Sequence, residues 1–366
     1  MRKVMKRTSW LATRRQFLST AATGVTLRGS HLTGASSQSG ASASGRIDCQ
    51  SHLFVPELLD FMEKRKTTPY VYRKGSDRFV VVGEWHRRIL PKHTDVAAKL
   101  ADMDANGIQM TALSINDPGP ELFGKDGLAI ARMVHNYLGG LAKQHPARFF
   151  GLATLPLQDM DGALVELDRC VTKLGMRGVL LYSNLDGKFP DLEEFRPLFA
   201  RAQELDVPLL LHPAYPMTYD ATKGYEMVAG LGLMFDTTIA LSRIILAGIL
   251  DQFPKLKLVC PHVGGALPYL IGRIDHQTQV LKRGAEKIRK PPSEYLKQVY
   301  LDTVTPIALG IRYAYDFAGP ERLLFASDHP WVDPKLIAGN VESLKFPAAD
   351  AKKIFAGNAR KLFKLV

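Results

Sequence analysis

Cysteine is scarce in this chain, with only three among 366 residues, and the odd number excludes a fully paired disulfide framework. No uninterrupted apolar run reaches about 18 residues, so no transmembrane helix is predicted. Pairs of the Cys-x-x-Cys type are also missing, which argues against a thiolate zinc site. Hydrophobic residues make up 46% of the chain and charged residues 23%, values typical of a globular protein. Cys49 and Cys260 lie in apolar runs, so we expect them to be buried thiols.

Acidic residues are absent from positions 1–43, although this stretch holds seven basic ones. The formal net charge of +12 would suggest an anionic partner, but without this stretch 41 basic residues face 36 acidic ones, a net charge of +5. The stretch contains Thr13-Arg14-Arg15-Gln16-Phe17-Leu18, then a mildly apolar segment and a Gly/Ser/Ala tract. This order is typical of a cleavable twin-arginine export signal, with a disordered basic tail as the alternative.

The excess of basic residues in positions 1–43 therefore indicates export of the protein rather than an anionic binding partner. We predict that residues 1–43 are the signal and that residues 44–366 are one mature domain, periplasmic or secreted in a bacterium. For this domain we expect no nucleic-acid partner and no membrane insertion.

Short apolar runs alternate with longer amphipathic segments from residue 46 onward, a pattern typical of parallel strands buried on both faces and connected by helices. The eight candidate strands are Arg46–Gln50, Ile108–Ile115, Phe149–Thr154, Met176–Tyr182, Val207–Leu211, Leu256–Cys260, Val299–Asp302 and Arg322–Ala326. Between them we predict helices, among them 94–106 with Thr94 as N-cap and one long helix over 235–253. The alternation predicts an α/β fold, a single (β/α)₈ TIM barrel. A doubly wound open sheet is the alternative, although no Gly-x-Gly-x-x-Gly follows a strand.

Two segments exceed what a minimal barrel needs. Residues 69–91, rich in aromatic and basic side chains, form an insertion after the first strand, and residues 212–234 follow the fifth. We expect both to lie over the carboxyl ends of the strands, where barrel enzymes keep their active sites.

Polar residues follow four of the predicted strands, at the point where each strand ends. They are Gln50 and His52 after the first strand, His212 after the fifth, His262 after the sixth and Asp328 after the eighth. In a barrel these side chains face one mouth, and imidazoles with a carboxylate there predict a divalent metal site, with Zn²⁺ as the first candidate. Each residue alone is more often a hydrogen-bonded loop residue, and Asp328 can simply form a turn. Trp85, Tyr215 and Trp331 are candidates for the pocket wall, with a buried packing role as the alternative for Trp331.

Several stretches are similar to one known family. They are Gly151–Gln158, Phe253–Lys257, Pro261–Ala266, Gly272–Ile274 and Gly357–Ala359. Together they resemble the amidohydrolase-related family, in the branch that contains aminocarboxymuconate semialdehyde decarboxylase, over roughly residues 46–366. The resemblance implies a metal-dependent barrel with His52, His212 and Asp328 as metal ligands. It also implies His262 as an acid/base beside metal-bound water, and Arg273 as a holder of the substrate carboxylate, sometimes across a dimer interface, so a homodimer is considered.

The first strand departs from the family pattern. The family has His-x-His or Glu-x-His at this place, whereas the chain has Gln50-Ser51-His52. A glutamine amide oxygen is a weaker ligand than an imidazole or a carboxylate. Three interpretations follow: a weaker or different metal, a site held by the other three ligands alone, or a lapsed enzyme. Catalytic zinc needs only three protein ligands and a water, so activity is expected.

The resulting hypothesis is a metal-dependent decarboxylase of a small unsaturated or aromatic carboxylic acid, with His262 and Asp328 as the proton-handling residues. A metal-dependent hydrolase of a lactone, ester or amide is the first alternative, because the same residues can direct hydroxide at a carbonyl. A non-catalytic binding protein is the second alternative, because of Gln50.

Overall fold

The computed structural model describes residues 45–365, so the predicted leader over 1–43 lies outside the described residues. In this part of the chain there are eleven strands. They are β1 Arg46–Asp48, β2 Tyr70–Lys74, β3 Asp77–Val82, β4 Trp85–Ile89, β5 Ile108–Leu113, β6 Phe149–Ala153, β7 Gly178–Tyr182, β8 Leu209–His212, β9 Leu258–Cys260, β10 Tyr300–Asp302 and β11 Leu323–Leu324.

Eight of these strands form one parallel sheet, in the order β1-β5-β6-β7-β8-β9-β10-β11. Its two edges approach each other, since the Cys49 N–H donates to the Phe325 carbonyl at 3.0 Å. Strands β6, β7 and β8 are buried at every residue, as expected for strands covered on both faces. The sheet is a nearly closed α/β barrel, and the eight predicted strands are confirmed, with shorter bounds.

Helices occupy most of the intervals between the barrel strands. Among residues 45–365 they are α1 Pro56–Glu63, α2 Val96–Ala105, α3 Gly127–Gln144, α4 Met160–Thr172, α5 Arg196–Leu205, α6 Tyr219–Thr222, α7 Leu233–Leu246, α8 Ile249–Gln252, α9 Leu267–Asp275, α10 Pro292–Leu296, α11 Ala308–Ala318, α12 Pro334–Ser343, α13 Ala348–Lys352 and α14 Asn358–Phe363. The N-cap of α2 is Asp95, whose carboxylate accepts from the Ala98 N–H at 3.0 Å. The prediction of Thr94 as the N-cap is wrong, because the Thr94 hydroxyl donates instead to the Pro91 carbonyl.

The long helix predicted over 235–253 is also wrong, because it is interrupted at Gly248. This residue has a left-handed φ of 73°, and a Cβ there would lie 2.3 Å from the Lys287 carbonyl oxygen. Upstream of the break, the segment Val228–Leu246 is long and apolar enough, by length and composition, to cross a membrane, and half of it is buried. Its buried side includes Ala240, Leu241 and Ile244, which pack into the core as in an internal helix.

The segment over 69–91 forms a second sheet, the antiparallel meander β2-β3-β4. Alternation along β4 buries Arg87 and exposes Arg88. This small sheet reaches the carboxyl ends of the barrel strands, since Trp85 and Arg87 line the cavity there. The sequence indicated where the segment lies but not that it consists of strands.

The three cysteines are free and buried. This confirms the expectation for Cys49 and Cys260. Cys170 lies on α4, against His135 of α3.

Candidate metal centre

Three of the predicted ligands meet at the carboxyl ends of β1, β8 and β11. The ligand atoms of His52, His212 and Asp328 all lie within 4.8 Å of one another. The two imidazole rings meet edge to face, with centroids 4.5 Å apart, and both are buried. Because parallel strand ends share one edge of the barrel, residues more than 270 positions apart form one cluster.

His52 points one ring nitrogen at Asp328 and the other at Ser114. Its Nδ1 lies 3.0 Å from the Ser114 hydroxyl oxygen, which also lies 3.3 Å from the Ser51 carbonyl. Its Nε2 lies 3.0 Å from Oδ1 of Asp328, so a proton joins these two atoms as long as no metal ion is bound. A metal ion bound between them would take the place of that proton.

His212 presents a free lone pair to the same cluster. Its Nδ1–H donates to the Pro213 carbonyl at 2.8 Å, while its Nε2 is buried without a partner among the described residues. Burial lowers the pKa of His212 well below its usual value, and the neighbouring His52 lowers it further, so the ring is neutral. A buried nitrogen left unpaired is costly in a protein interior, and a metal ion would satisfy it.

Gln50 lies beside the same cluster and contacts Asp328. Its side-chain amide nitrogen donates to Oδ1 of Asp328 at 3.1 Å. A rotation of the amide by 180° would present the carbonyl oxygen in the same place, which is the orientation that a metal would require. The Gln50 side chain is thus within reach of a metal and is also a hydrogen-bond partner of a neighbouring ligand.

Asp328 is held in an unusual backbone conformation, with φ of 60°. Its N–H donates to the Gln50 carbonyl at 2.9 Å, which joins the ends of β1 and β11. Burial alone would raise the pKa of Asp328, but the hydrogen bonds and charges of His262 and His52 outweigh burial and hold this pKa well below the usual range. The carboxylate is therefore ionised.

His262 lies on a strained turn directly after β9. Four consecutive residues, 262–265, have φ between 52° and 86°, and a Cβ on Gly265 would lie 2.6 Å from Oγ1 of Thr238. The turn places Nε2 of His262 3.7 Å from Oδ2 of Asp328, while Nδ1 is buried and has no hydrogen-bond partner within residues 45–365. Burial opposes protonation of His262, but the carboxylates of Asp328 and Asp302 raise its pKa above the usual value for histidine.

Two buried carboxyl groups that sequence reasoning missed hold the loops after β10 and β11 in place. Asp48 accepts from the Ser327 N–H at 3.0 Å and from the Ser327 hydroxyl, and burial raises its pKa to about 6. Asp302 accepts from the Val304 N–H at 3.0 Å, and burial likewise raises its pKa to about 6. An acidic residue inside a buried apolar strand was the available signal for both.

A cavity of about 780 Å³ opens above the cluster, and His212, His262 and Asp328 line it. Trp85 and Trp331 line it as well, and the Trp331 ring packs on His93 with centroids 4.2 Å apart. Tyr215 does not line this cavity and stacks instead on Tyr219, with centroids 4.6 Å apart.

The polar wall of the cavity includes residues that the sequence analysis did not single out. The Arg87 guanidinium bonds Oδ1 of Asn116 at 2.8 Å and Oδ1 of Asp117 at 2.5 Å, and it lies over the Trp85 ring at 4.5 Å. Asn116 and Asp117 follow β5, so the signal used for the other strand ends was present here too.

Arg273 is not brought to the cavity. It is exposed on α9 and does not line the cavity of its own chain. The structure therefore does not place Arg273 at the cavity of its own chain.

A second cluster, formed by His135, Glu166 and Cys170, has metal-like spacing but a different chemistry. The Thr154 N–H donates to Nε2 of His135 at 3.0 Å, so the neutral ring carries its proton on Nδ1 and donates it to Glu166 at 2.6 Å. Metal binding through Nδ1 would place a proton on Nε2, against a backbone donor. This buried cluster is hydrogen-bonded internally and is structural.

The same cluster predicts a pH-dependent contribution to stability. Burial would raise the pKa of Glu166, but hydrogen bonds from His135 and Arg169 lower it from 4.5 to about 2. A lowered folded-state pKa stabilises the protein above pH 4.5, and this contribution is lost as the pH falls from 4.5 toward 2. Urea unfolding at pH 6 and pH 3.5 should show a smaller loss of unfolding free energy on acidification in Glu166→Gln than in the wild type. Glu57→Gln, at an exposed position, is the matched control, and an unchanged pH dependence in Glu166→Gln would contradict the account.

Comparison with known proteins supports the family resemblance that the sequence motifs indicated. The amidohydrolase family model matches residues 47–365. The chain is 30% identical over 345 residues to gamma-resorcylate decarboxylase of Rhizobium sp. (strain MTP-10005), covering 88% of this chain and 98% of that protein. It is 25% identical to 2-amino-3-carboxymuconate-6-semialdehyde decarboxylase of Dictyostelium discoideum, covering 87% and 92%.

A solved structure with a metal ion has the same fold. Dihydroxybenzoic acid decarboxylase from Polaromonas sp. JS666, with bound manganese and the inhibitor 2-nitroresorcinol, superposes with a TM-score of 0.75 at 27% identity, covering 88% of this chain and 97% of that one. These findings confirm the family resemblance that the sequence motifs indicated. The chain belongs to the amidohydrolase family.

Proposed function

We propose that this protein is a metal-dependent decarboxylase of an aromatic carboxylic acid. The observation that carries the proposal is the convergence of Nε2 of His52 and Nε2 of His212 on the Asp328 carboxylate at the floor of a cavity. His262 lies beside them with a raised pKa, in position to supply a proton. The similarity to decarboxylases over nearly the whole barrel supports the same reaction.

The donor set fits a divalent ion. We assign the ligands as Nε2 of His52, Nε2 of His212 and the Asp328 carboxylate, with the Gln50 carbonyl oxygen as a fourth after rotation of its amide. When bound, the ion would fix oxygen atoms of the substrate and stabilise negative charge on them. Zn²⁺ was the expectation from the sequence, and manganese is bound in the Polaromonas structure, so both metals belong in the test.

His262 performs the proton transfer in this proposal. Its proton passes to the ring carbon that bears the carboxylate, and a π electron pair of the ring forms the new C–H bond. The bond from this carbon to the carboxylate then breaks, its electron pair restores the aromatic ring, and CO₂ leaves. Asp328 keeps His262 protonated before the transfer, because the negative charge 3.7 Å away stabilises the imidazolium.

The experiment is a substrate panel with two readouts. Purified protein, loaded with Mn²⁺ or with Zn²⁺, is incubated with mono- and dihydroxybenzoic acids and separately with aryl esters and lactones. We expect CO₂ release from at least one hydroxybenzoic acid and no comparable hydrolysis. Hydrolysis of esters or lactones without CO₂ release from any acid would favour the alternative function.

Three further points are proposals from the sequence. Residues 1–43 are a cleavable twin-arginine signal, the mature protein is periplasmic or secreted, and Arg273 reaches substrate only in a homodimer. Fractionation of cells that express the full chain, with and without Arg14→Lys/Arg15→Lys, tests the first two. Retention of the variant in the cytoplasm, at the uncleaved mass, is the expected result.

Gln50→Glu tests the contribution of the neutral ligand. A carboxylate at this position adds a negative charge near the two imidazoles, so we expect metal affinity to rise by about tenfold or more. Metal titration followed by calorimetry measures the change. Asn116→Asp adds the same charge elsewhere on the cavity wall and serves as the matched control. Equal affinity in Gln50→Glu and the wild type would place Gln50 outside the ligand set.

A further inference from the structure

The cavity is much larger than one aromatic ring requires. Its volume is about 780 Å³, whereas a cavity of about 150 Å³ suffices to hold benzene. A single-ring acid bound at the strand ends would therefore leave most of the space to water. Water beside apolar walls is unfavourable, and a ligand group that displaces it gains affinity.

The lining of the cavity combines polar and apolar side chains. The polar side chains, including His212, His262 and Asp328, belong to strand ends and to β4. The apolar wall comes from the stretch around the start of α7, from the loops after β10 and β11 and from α12; its members are Leu231, Leu233, Met234, Val304, Val332 and Ile337. A ligand that satisfies both parts has a charged, oxygen-rich end and an extended apolar end.

The residues at 229–235 form the outer part of the apolar wall. Leu231 and Phe235 line the cavity and are 45% and 41% exposed, a high exposure for large apolar side chains. Gly230 lies between them and also lines the cavity, and a Cβ placed on it meets no atom within 4 Å. Open space thus borders this wall.

We propose that the substrate is an aromatic acid with an apolar substituent of several carbons, an alkyl chain or a second aryl group, which lies along the 229–235 wall. This inference rests on the proposed decarboxylase function. The carboxylate and ring hydroxyls face the metal ligands, and the substituent extends over Gly230 and Leu231. A substrate of one unsubstituted ring would leave this wall without a role.

The test compares two acids that differ only in the length of the substituent, 2,4-dihydroxy-6-methylbenzoate and 2,4-dihydroxy-6-pentylbenzoate. We expect the pentyl acid to have the higher kcat/KM for CO₂ release and the lower Kd in calorimetry, each by about tenfold or more, since four more methylene groups become buried. Gly230→Trp fills the space beside the wall and should lower kcat/KM and affinity for the pentyl acid to the level of the methyl acid. Gly339→Trp, at an exposed helical glycine with equally open surroundings, should leave both acids unchanged.

A second wall variant keeps the test decisive if Gly230→Trp folds poorly. Leu231→Asp places a charge on the wall and should remove the preference for the pentyl acid while the methyl acid is still turned over. Equal kcat/KM and equal Kd for the two acids in the wild type would overturn the inference and leave the proposed function intact. CO₂ release from neither acid would count against the proposed function, and the Kd comparison would then still decide the inference.

Discussion

His262→Asn is expected to lower kcat for CO₂ release by about 10²–10⁴-fold, the range for loss of a general acid. Asparagine tolerates the left-handed φ of 54° at this position, so the turn after β9 should persist. It has no titratable proton, so the ring carbon of the substrate loses its proton donor. Because His262 is not in the ligand set, bound metal should stay at the wild-type level. Steady-state CO₂ release together with elemental analysis measures both quantities.

A matched control shows whether the loss of kcat in His262→Asn comes from the active site or from replacing any histidine by asparagine. His276→Asn changes an exposed histidine and should leave kcat unchanged. If His262→Asn kept more than a tenth of wild-type kcat, the proton donor would be another group. If it lost the metal as well, His262 would belong to the ligand set.

Asp328→Asn is expected to abolish both metal binding and activity. The substitution removes the negative charge that faces the two imidazoles and leaves a neutral amide in its place. Asparagine also accepts the φ of 60°, so the loss should come from charge rather than from the backbone. We expect metal affinity to fall at least 100-fold and CO₂ release to fall below detection in the presence of stoichiometric metal.

The control for this variant is Asp333→Asn. Asp333 is an exposed N-cap that accepts from the Lys335 N–H at 2.9 Å, and asparagine is an equally good cap. This variant should keep metal and activity. Wild-type metal content in Asp328→Asn would contradict the assignment of Asp328 as a ligand.

The residues at the strand ends were predictable because two simple regularities combine. Apolar runs separated by helical segments predict a parallel barrel, and in a barrel every strand points its carboxyl end to the same mouth. His52, His212, His262 and Asp328 therefore had to be neighbours whatever the helices did, and the structure brings them together.

Other features depend on contacts that a single sequence does not reveal. The helix breaks at Gly248, whose left-handed φ and close approach to the Lys287 carbonyl, almost 40 residues away, are not visible in the apolar pattern of α7. The three strands of the meander over 70–89 are short and rich in charged residues. The alternation of apolar and polar residues along them is therefore weak, and the sequence showed only an aromatic and basic segment. Arg273 was assigned by resemblance alone, and it lies exposed on α9, outside the cavity lining of its own chain.

The central claim is that decarboxylation depends on a divalent ion held by His52, His212 and Asp328. The most direct measurement is CO₂ release from the best acid of the panel, with protein stripped of metal by a chelator and then titrated with Mn²⁺. We predict no activity in the stripped protein and recovery that saturates at one equivalent of metal per chain. Full activity in the metal-free protein would contradict the account.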